Sequence, residues 1–579
     1  MAELKKILLD KIPQTILAPI VKCKAFLLTS MVFTCLYVVM YQNSMLTKSL
    51  MHFADMYFLC SVLCILPTKV RQVFLTICYI FLYTFLFIDF FLKYKFNINI
   101  NPSVFLLLHE TTGREVSEFV SACVVNKSMI MMMLVVVGVL TLNIVVAKIP
   151  ERIISNFLIH FKQISAIVAL GVVAILIYTL PRFVENKLFV KDVLSVGSVD
   201  NLERVGDVKL HIYKPIYECM YSAKALSLMN NEIAEILNNV AVGNIDTCLN
   251  TCPVMVWIIG ESYNKYHSSL YGYQLNTTPK MNLLRDSGLL VPFTDVVASQ
   301  NYTSYVLKSM FSLHSEEQPS NWTSAPLFPA LLKSAGYRVT FVSNQFVATV
   351  HNDFWDTSVD FFLNDSIVSS AMFDLRNEHT AQYDESLINI YKELDIMQPS
   401  DLKFDIYHLL GYHFVYSMRY PHKFSKFTAD SICRPDLSRD KKTTIAEYDN
   451  SIYYNDSVTT AIFDLYNNQD AIIIVISDHG ETVYDIGIDA YMRVGNISTE
   501  FPVPFMVYMT PIFVERHPDI VSRIRSASSK PFMTDDIGHI FLGLAGLKTC
   551  FYNPSRNLFS SDFDTTRVRI INGGVEYKK

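Results

Sequence analysis

Five apolar stretches crowd into the first 180 residues, at about 25–41, 50–67, 72–92, 129–147 and 164–180, and most approach the ~20 residues a helix needs to cross a bilayer. So many apolar helices in close succession cannot all be buried as core in so short a segment, so five membrane spans are expected. His52 and Asp55 make the second stretch the most interrupted. No small-residue cleavage site follows the first stretch and further spans do, so it reads as a retained anchor rather than a cleaved leader. Lys5, Lys6, Lys11, Lys22 and Lys24 precede the first span, Lys69 and Arg71 follow the second, and Lys148, Arg152 and Lys162 separate the fourth from the fifth. The positive-inside rule places these segments in the cytoplasm. An odd number of spans then puts everything after Pro181 on the far side of the membrane. The loop 93–128 falls on that side too, mixing Lys93, Lys95, Arg114 and Lys127 with Glu110, Glu115 and Glu118.

Beyond Pro181 the chain reads as water-soluble. Residues 182–251, with a helical pattern over Ile216–Asn239, form a bridge from the membrane domain (1–181) to a catalytic domain (252–579). In that domain short apolar runs (Val254–Ile259, Arg338–Val342, Phe404–Leu410, Ala471–Ile476, Pro502–Tyr508) alternate with longer amphipathic stretches such as Thr444–Asn467. The alternation predicts an α/β fold, a mostly parallel sheet between helices. A formal net charge of −5 without a basic block argues against nucleic acid as a partner. Of eleven cysteines, five lie outside the apolar stretches (Cys219, Cys248, Cys252, Cys433, Cys550); Cys248 and Cys252 are close enough to pair, and the odd count leaves at least one thiol free or intermolecular.

Chemistry-bearing residues fall at the ends of these runs. Gly260-Glu261 ends the apolar run Val254–Ile259, and Ser477-Asp478-His479-Gly480-Glu481 ends the run Ala471–Ile476. Both fall at the sheet edge where open α/β folds bind ligands. Two carboxylates and an imidazole suit Zn²⁺ or a similar divalent ion, and a hydroxyl held against such an ion becomes a nucleophile. Thr303, in Asn301-Tyr302-Thr303-Ser304, is the candidate. Thr303 or Ser304 could equally cap a helix through Leu307–Leu313, and the two roles are compatible, since a helix N-terminus favours a bound phosphate. His408 and His413, around the end of the Phe404–Leu410 run, are candidates for substrate contact, against the plainer reading of a satisfied core histidine. His539 reads as structural. Together these residues outline a metal-dependent phosphoryl-transfer site.

Further strings carry a family resemblance: Ser269-Leu270-Tyr271-Gly272-Tyr273 with Thr277-Thr278-Pro279, Ser343-Asn344-Gln345, Tyr448-Asp449-Asn450-Ser451 with Tyr454-Asn455-Asp456, Pro531–Asp536 and Leu544-Ala545-Gly546-Leu547. With the motifs above, the chain resembles the bacterial phosphoethanolamine transferases of the alkaline phosphatase/sulfatase superfamily, which modify lipid A and the lipopolysaccharide core and include the mobile colistin-resistance proteins. The strings His413-Phe414 and Arg419-Tyr420-Pro421 are closer to the core-modifying branch.

The resemblance implies a five-span inner-membrane domain, an alkaline-phosphatase-like periplasmic domain and an N-terminus in the cytoplasm. It implies Zn²⁺ on Glu261, Thr303, Asp478 and His479, with a second metal left open. Thr303 would take phosphoethanolamine from phosphatidylethanolamine, release diacylglycerol, and pass the group to lipopolysaccharide or another envelope glycan. His413 would stabilise charge on the phosphate. Thr111 and Glu115 match a family segment facing the lipid headgroup, although Leu107 replaces an Asn often found one turn earlier. Arg493 and Tyr491 stand in the loop where the family usually carries a further His. A monomer is expected. Two rival readings are a phosphoglycerol transferase of the lipoteichoic-acid-synthase type and an inactive membrane-anchored binding protein; a free-standing sulfatase would need the Cys-x-Pro-x-Arg string that the nucleophile region lacks.

Overall fold

The computed structural model describes residues 11–40, 45–96, 127–199, 201–202, 214–242, 245–318, 320–345, 360–492, 494–495, 497–572 and 574–578. Thr111, Glu115 and Arg493 lie outside these residues. The chain divides into two compact units, Met1–Leu228 and Met229–Lys579, and the division falls inside the expected bridge, within the helix Lys214–Val242.

All five apolar stretches of the first unit are helical: Lys24–Met40, Met45–Leu63, Thr68–Phe96, Lys127–Lys148 and Lys162–Ser195. Among the described residues one helix, over Lys162–Pro181, is long and apolar enough to cross a membrane. A second would qualify if Ile12–Lys22 and Lys24–Val32, bent by 68°, form a single span; Ser49–Leu63 and Val136–Lys148 are apolar but shorter. The long helix turns apolar side chains outward, with Ile167, Leu170 and Ile177 each more than two-thirds exposed. A helix that displays such residues while satisfying its own backbone is suited to lipid. Polar contacts link helices inside the unit: the Asn143 amide donates to the Ala25 carbonyl (3.3 Å), Thr29 Oγ1 (2.6 Å) and the Tyr79 hydroxyl (2.7 Å).

The second unit is built on a seven-stranded sheet of β1 (Val254–Gly260), β2 (Leu290–Phe293), β3 (Arg338–Ser343), β4 (Leu375–Arg376), β5 (Lys403–His408), β6 (Ala471–Ser477) and β7 (Phe505–Met509), in the order β2-β7-β6-β1-β5-β3-β4. Strands β6, β1, β5, β3 and β4 are parallel, while β7 runs antiparallel to both its neighbours. The sheet is therefore mixed but mostly parallel. β1 and β6 sit side by side at its centre with every residue buried, which explains why they read as unbroken apolar runs rather than as alternating ones.

Alternation along β1 splits the core between two faces. Val254, Val256 and Ile258 pack with Tyr407, Tyr448, Tyr454 and Tyr466 on the side of the long helix Arg439–Asp464. Trp257 points the other way, with its ring 5.0–5.7 Å from those of Phe311, Phe328 and Phe541. Helices Thr303–Phe311, Phe328–Ser334 and Ile537–Ala545 supply those three rings. The strand Ile245–Cys248 pairs with Leu547–Thr549, so this end of the expected bridge is part of the second unit. Cys248 and Cys252 are separate thiols, Cys252 buried and Cys248 donating to Asn250 Oδ1. His539 lies buried in its helix and accepts from the Asn553 N–H, a structural contact.

Candidate active site

Adjacent parallel strands lie about 4.8 Å apart, so residues that follow β1 and β6 in register end up as neighbours. Gly260 pairs with Ser477, and the Asp478 N–H donates to the Gly260 carbonyl (3.0 Å). Glu261 and Asp478 are thereby delivered together to the carboxyl edge of the sheet. With His479 they form a buried group whose ligand atoms all lie within 4.8 Å of one another. It is the one such group of three or more among the described residues.

The helix Thr303–Phe311 brings the hydroxyl. Its N-cap is Tyr302, whose side chain makes no cap bond, and Thr303 is the first helical residue. The Thr303 hydroxyl donates toward Glu261, 3.1 Å from Oε2 and 3.3 Å from Oε1, and lies 3.3 Å from His479 Nε2. Thr303 thus occupies the first turn of the helix, where backbone N–H groups lack intrahelical acceptors and favour an anion.

Each member of the group is held from behind. His479 Nδ1 lies 2.6 Å from the Gly480 carbonyl, which makes Nδ1 the protonated nitrogen and leaves the Nε2 lone pair facing the carboxylates. Asp478 Oδ1 accepts from the N–H groups of His479 (2.6 Å) and Ser262 (3.0 Å). Its Oδ2 is buried without a hydrogen-bond donor among the described residues and lies 3.4 Å from His479 Nε2. Glu261 accepts from Ser262 Oγ (2.8 Å) and from the Gln345 amide (3.2 Å), which also donates to the Leu409 carbonyl (2.7 Å).

Electrostatics ask for a cation. Burial opposes ionisation of both acids, and with the neighbouring Glu261 charge it pushes Asp478 up to about 7; a positive charge at the point they share, an imidazolium at His479 or a bound cation, is what holds Glu261 well below the usual carboxylate range. Two buried carboxylates, one with an oxygen that lacks a donor, and an imidazole aimed at the same point form a donor set that fits Zn²⁺.

Two glycines set the loops. Gly411 adopts φ +54°, and a Cβ there would come 2.9 Å from both the backbone N and O of Glu261. The chain after β5 therefore folds directly over Glu261, with the Tyr412 N–H donating to the Glu261 carbonyl (3.1 Å). Asp384 fixes that turn by accepting from the N–H groups of Leu410 (2.8 Å) and Gly411 (2.9 Å) and from the Asn344 amide (2.8 Å). At Gly480 a Cβ would meet the Thr499 carbonyl oxygen at 2.2 Å.

The histidines separate. His413 is half-buried in the loop after Gly411, close enough that a positive charge on it would favour the Glu261 carboxylate. His408 is fully buried at the end of β5, with Nδ1 3.1 Å from Ser343 Oγ and its ring stacked on Phe341. Burial pushes its pKa down to about 4, so it is neutral at physiological pH. It lies one strand level below the Glu261 carboxylate, since its register partner is Ile259.

Residue-level reading of the sequence left Gln345 and Glu500 without a role. Gln345 was visible in the string after β3. Glu500 carried no signal: it is a buried acid that accepts from the Asn301 amide (2.8 Å), Thr482 Oγ1 (3.1 Å) and the N–H groups of Val494 and Gly495, tying the nucleophile segment to the loop after His479.

A mostly parallel α/β sheet with a threonine, two carboxylates and a histidine gathered at its carboxyl edge defines a metallohydrolase-type domain. A family model described as Sulfatase matches residues 253–547, about half of the chain, and the chain belongs to that family. It is 26% identical over 494 residues to phosphoethanolamine transferase EptC of Escherichia coli strain K12, an alignment covering 83% of this chain and 80% of the relative. It is 29% identical over 333 residues to phosphoethanolamine transferase CptA of Salmonella typhimurium, covering 56% of each. Among solved structures, the C-terminal periplasmic domain of EptC from Escherichia coli in complex with Zn matches with a TM-score of 0.50 and 26% identity, covering 58% of this chain and 94% of that one.

Proposed function

We propose that this chain is a zinc-dependent phosphoethanolamine transferase that moves phosphoethanolamine from phosphatidylethanolamine to a cell-envelope glycolipid, lipopolysaccharide core or lipid A, through a covalent intermediate on Thr303. The observation that carries the reading is the Thr303 hydroxyl, held 3.1–3.3 Å from Glu261 and His479 at a helix N-terminus. Similarity to enzymes named phosphoethanolamine transferases supplies the group transferred.

Glu261, Thr303, Asp478 and His479 would hold Zn²⁺, which supplies Lewis acidity that makes the Thr303 hydroxyl acidic and offsets charge on phosphorus-bound oxygens. The chain's own groups do the rest. His479 and Glu261 orient the hydroxyl, and a Glu261 carboxylate oxygen takes its proton. Thr303 Oγ forms a bond to phosphorus as the phosphorus–glycerol oxygen bond breaks, and diacylglycerol leaves with a proton. The first-turn N–H groups of the helix and His413 face the added negative charge. An acceptor hydroxyl or phosphate then attacks the same phosphorus, restoring the Thr303 hydroxyl; such a two-step route is ping-pong. Thr111, Glu115 and Arg493 are proposed as further contacts to headgroup or phosphate, and His408 as a neutral group beneath them.

The inner membrane, with five spans, a cytoplasmic N-terminus and a periplasmic catalytic domain, is the proposed location, supported by the outward apolar helix and by the periplasmic domain of the EptC relative. The test is donor choice: purified full-length protein with Zn²⁺ and purified lipopolysaccharide should release diacylglycerol from phosphatidylethanolamine and add a phosphoethanolamine mass to the acceptor. Release from phosphatidylglycerol alone would refute the reading.

A further inference from the structure

We propose that His267 is a positioning residue: as an imidazolium between Asp449 and Asp485, it ties the loop that follows Asp478-His479 to the loop that follows Glu261, and loss of its proton loosens that tie. The effect on turnover rests on the function proposed above; the tie itself does not.

His267 is 5% exposed, in the short turn Lys265–His267. Its two ring nitrogens both face acids, Nδ1 2.8 Å from Asp449 Oδ1 and Nε2 3.7 Å from Asp485 Oδ1. The Nδ1 contact is a hydrogen bond and the Nε2 contact an ion-pair approach, so the doubly protonated ring alone is attracted to both carboxylates.

What these acids hold gives the pair its consequence. Asp485 Oδ2 accepts from the Val483 N–H (2.9 Å), and the Asn264 amide reaches both Asp485 oxygens (3.2 and 3.3 Å) and the Glu481 carbonyl (2.8 Å). Asp449 sits on the helix Arg439–Asp464 beside Tyr448, whose hydroxyl donates to the Ser262 carbonyl (2.6 Å) and accepts from the Asn264 N–H (2.7 Å). The buried ring therefore bridges the helix, through Asp449, and the segment Glu481–Asp485, through Asp485, while Tyr448 and Asn264 hold the segment Ser262–Asn264 to the same two.

Among the described residues, few other groups face the ring. Tyr273 lies with its ring 4.9 Å away and donates to Asp449 Oδ2 (2.9 Å), and Tyr448 presents an edge at 5.3 Å. Arg434 donates to the Tyr484 carbonyl and pairs with Asp436. Lys265 reaches away to the Thr294 carbonyl. Burial alone would push the imidazole down, but Asp449 and then Asp485 raise it to about 9. A raised folded-state value means that the tie is fully present below the ordinary 6.5 and is lost as pH rises through about 9.

The test is hydrogen exchange by mass spectrometry on the full-length protein in detergent, from pH 7 to 10, corrected for intrinsic exchange. The peptide spanning 481–489 is read against the strand Phe505–Met509 as an internal reference. The wild type should lose protection of the first peptide roughly tenfold or more as pH passes about 9, while His267→Gln should be weakly protected and flat across the range. Asp485→Asn, which removes one charge and keeps a partner for Asn264, should move the transition to lower pH and keeps the test decisive if His267→Gln fails to fold. Transfer from phosphatidylethanolamine should show an alkaline limb in the wild type with the same midpoint, absent in His267→Gln. A wild-type peptide that stays protected through pH 10, or a transition unmoved by both substitutions, overturns the proposal. An exchange transition in a protein that transfers nothing at any pH would sustain the tie and refute the function.

Discussion

Gly480 lies between His479 and Glu481, and a single methyl group there should disable the site without unfolding the domain. A Cβ built on Gly480 meets the Thr499 carbonyl oxygen at 2.2 Å and Glu500 Cα and O at 3.2 Å. Its φ is not in the left-handed region, so the obstacle is contact alone. The obstructing atom is backbone, and the Gly480 N–H already donates to the Glu500 carbonyl at 2.6 Å, so neither partner has slack. Relief requires the two segments to part by roughly 1 Å, and a misplacement of that size costs a catalytic group about 10²-fold. Parting them also moves Glu500, which holds the Asn301 amide two residues from Thr303. The conformational cost is that of local overpacking, about 1–3 kcal/mol. Steady-state transfer and thermal melting of Gly480→Ala should therefore show kcat/KM lower by about 10²-fold or more with a melting shift of only several degrees. Wild-type turnover in a folded Gly480→Ala protein would refute the claim that this contact positions His479.

Thr303→Ala should lower transfer roughly 10⁴- to 10⁶-fold, whereas Thr303→Ser, which keeps the hydroxyl, should retain measurable turnover in the same assay. Removing Zn²⁺ with a chelator should abolish transfer and re-addition restore it; metal at about 1,000 times its Kd should add about 4 kcal/mol of stability, read as a melting shift. Arg338→Ala should destabilise the second unit by about 3–5 kcal/mol. The Arg338 guanidinium donates to Asp405 (3.2 Å) and Asp395 (2.7 Å), and its loss leaves Asp405, fully buried on β5, without its cation and with the Tyr391 and Tyr466 hydroxyls as donors. Denaturant titration of the catalytic unit's tryptophan fluorescence would measure it.

What the sequence made legible follows from how far each signal is local. β1 and β6 announce themselves as apolar runs because neighbours cover both their faces, and the residues after them carry the ligand chemistry. Strands β2 and β4 were not anticipated: they are the sheet's edges, only four and two residues long, and β2 contains Pro292, too little for a periodicity to register. The nucleophile helix was anticipated with Thr303 or Ser304 as its cap, but the cap is Tyr302, because the Thr303 hydroxyl is engaged with Glu261. Glu500 was invisible because the partners that matter to the site, Asn301 and Thr482, come from segments brought together by the fold. The apolar stretches of the first unit were read correctly as helices, but hydropathy along the chain does not reveal where a helix bends, as between Lys22 and Lys24.

The central claim is that Thr303 carries the transferred group. Intact mass and peptide mapping of the full-length protein incubated with phosphatidylethanolamine and Zn²⁺, without acceptor, beside Thr303→Ala, tests it directly. The account predicts a phosphoethanolamine adduct on the peptide containing Thr303, absent from the substituted protein and discharged when lipopolysaccharide is added. Acceptor modified at an undiminished rate by Thr303→Ala, or an adduct on another residue, would contradict it.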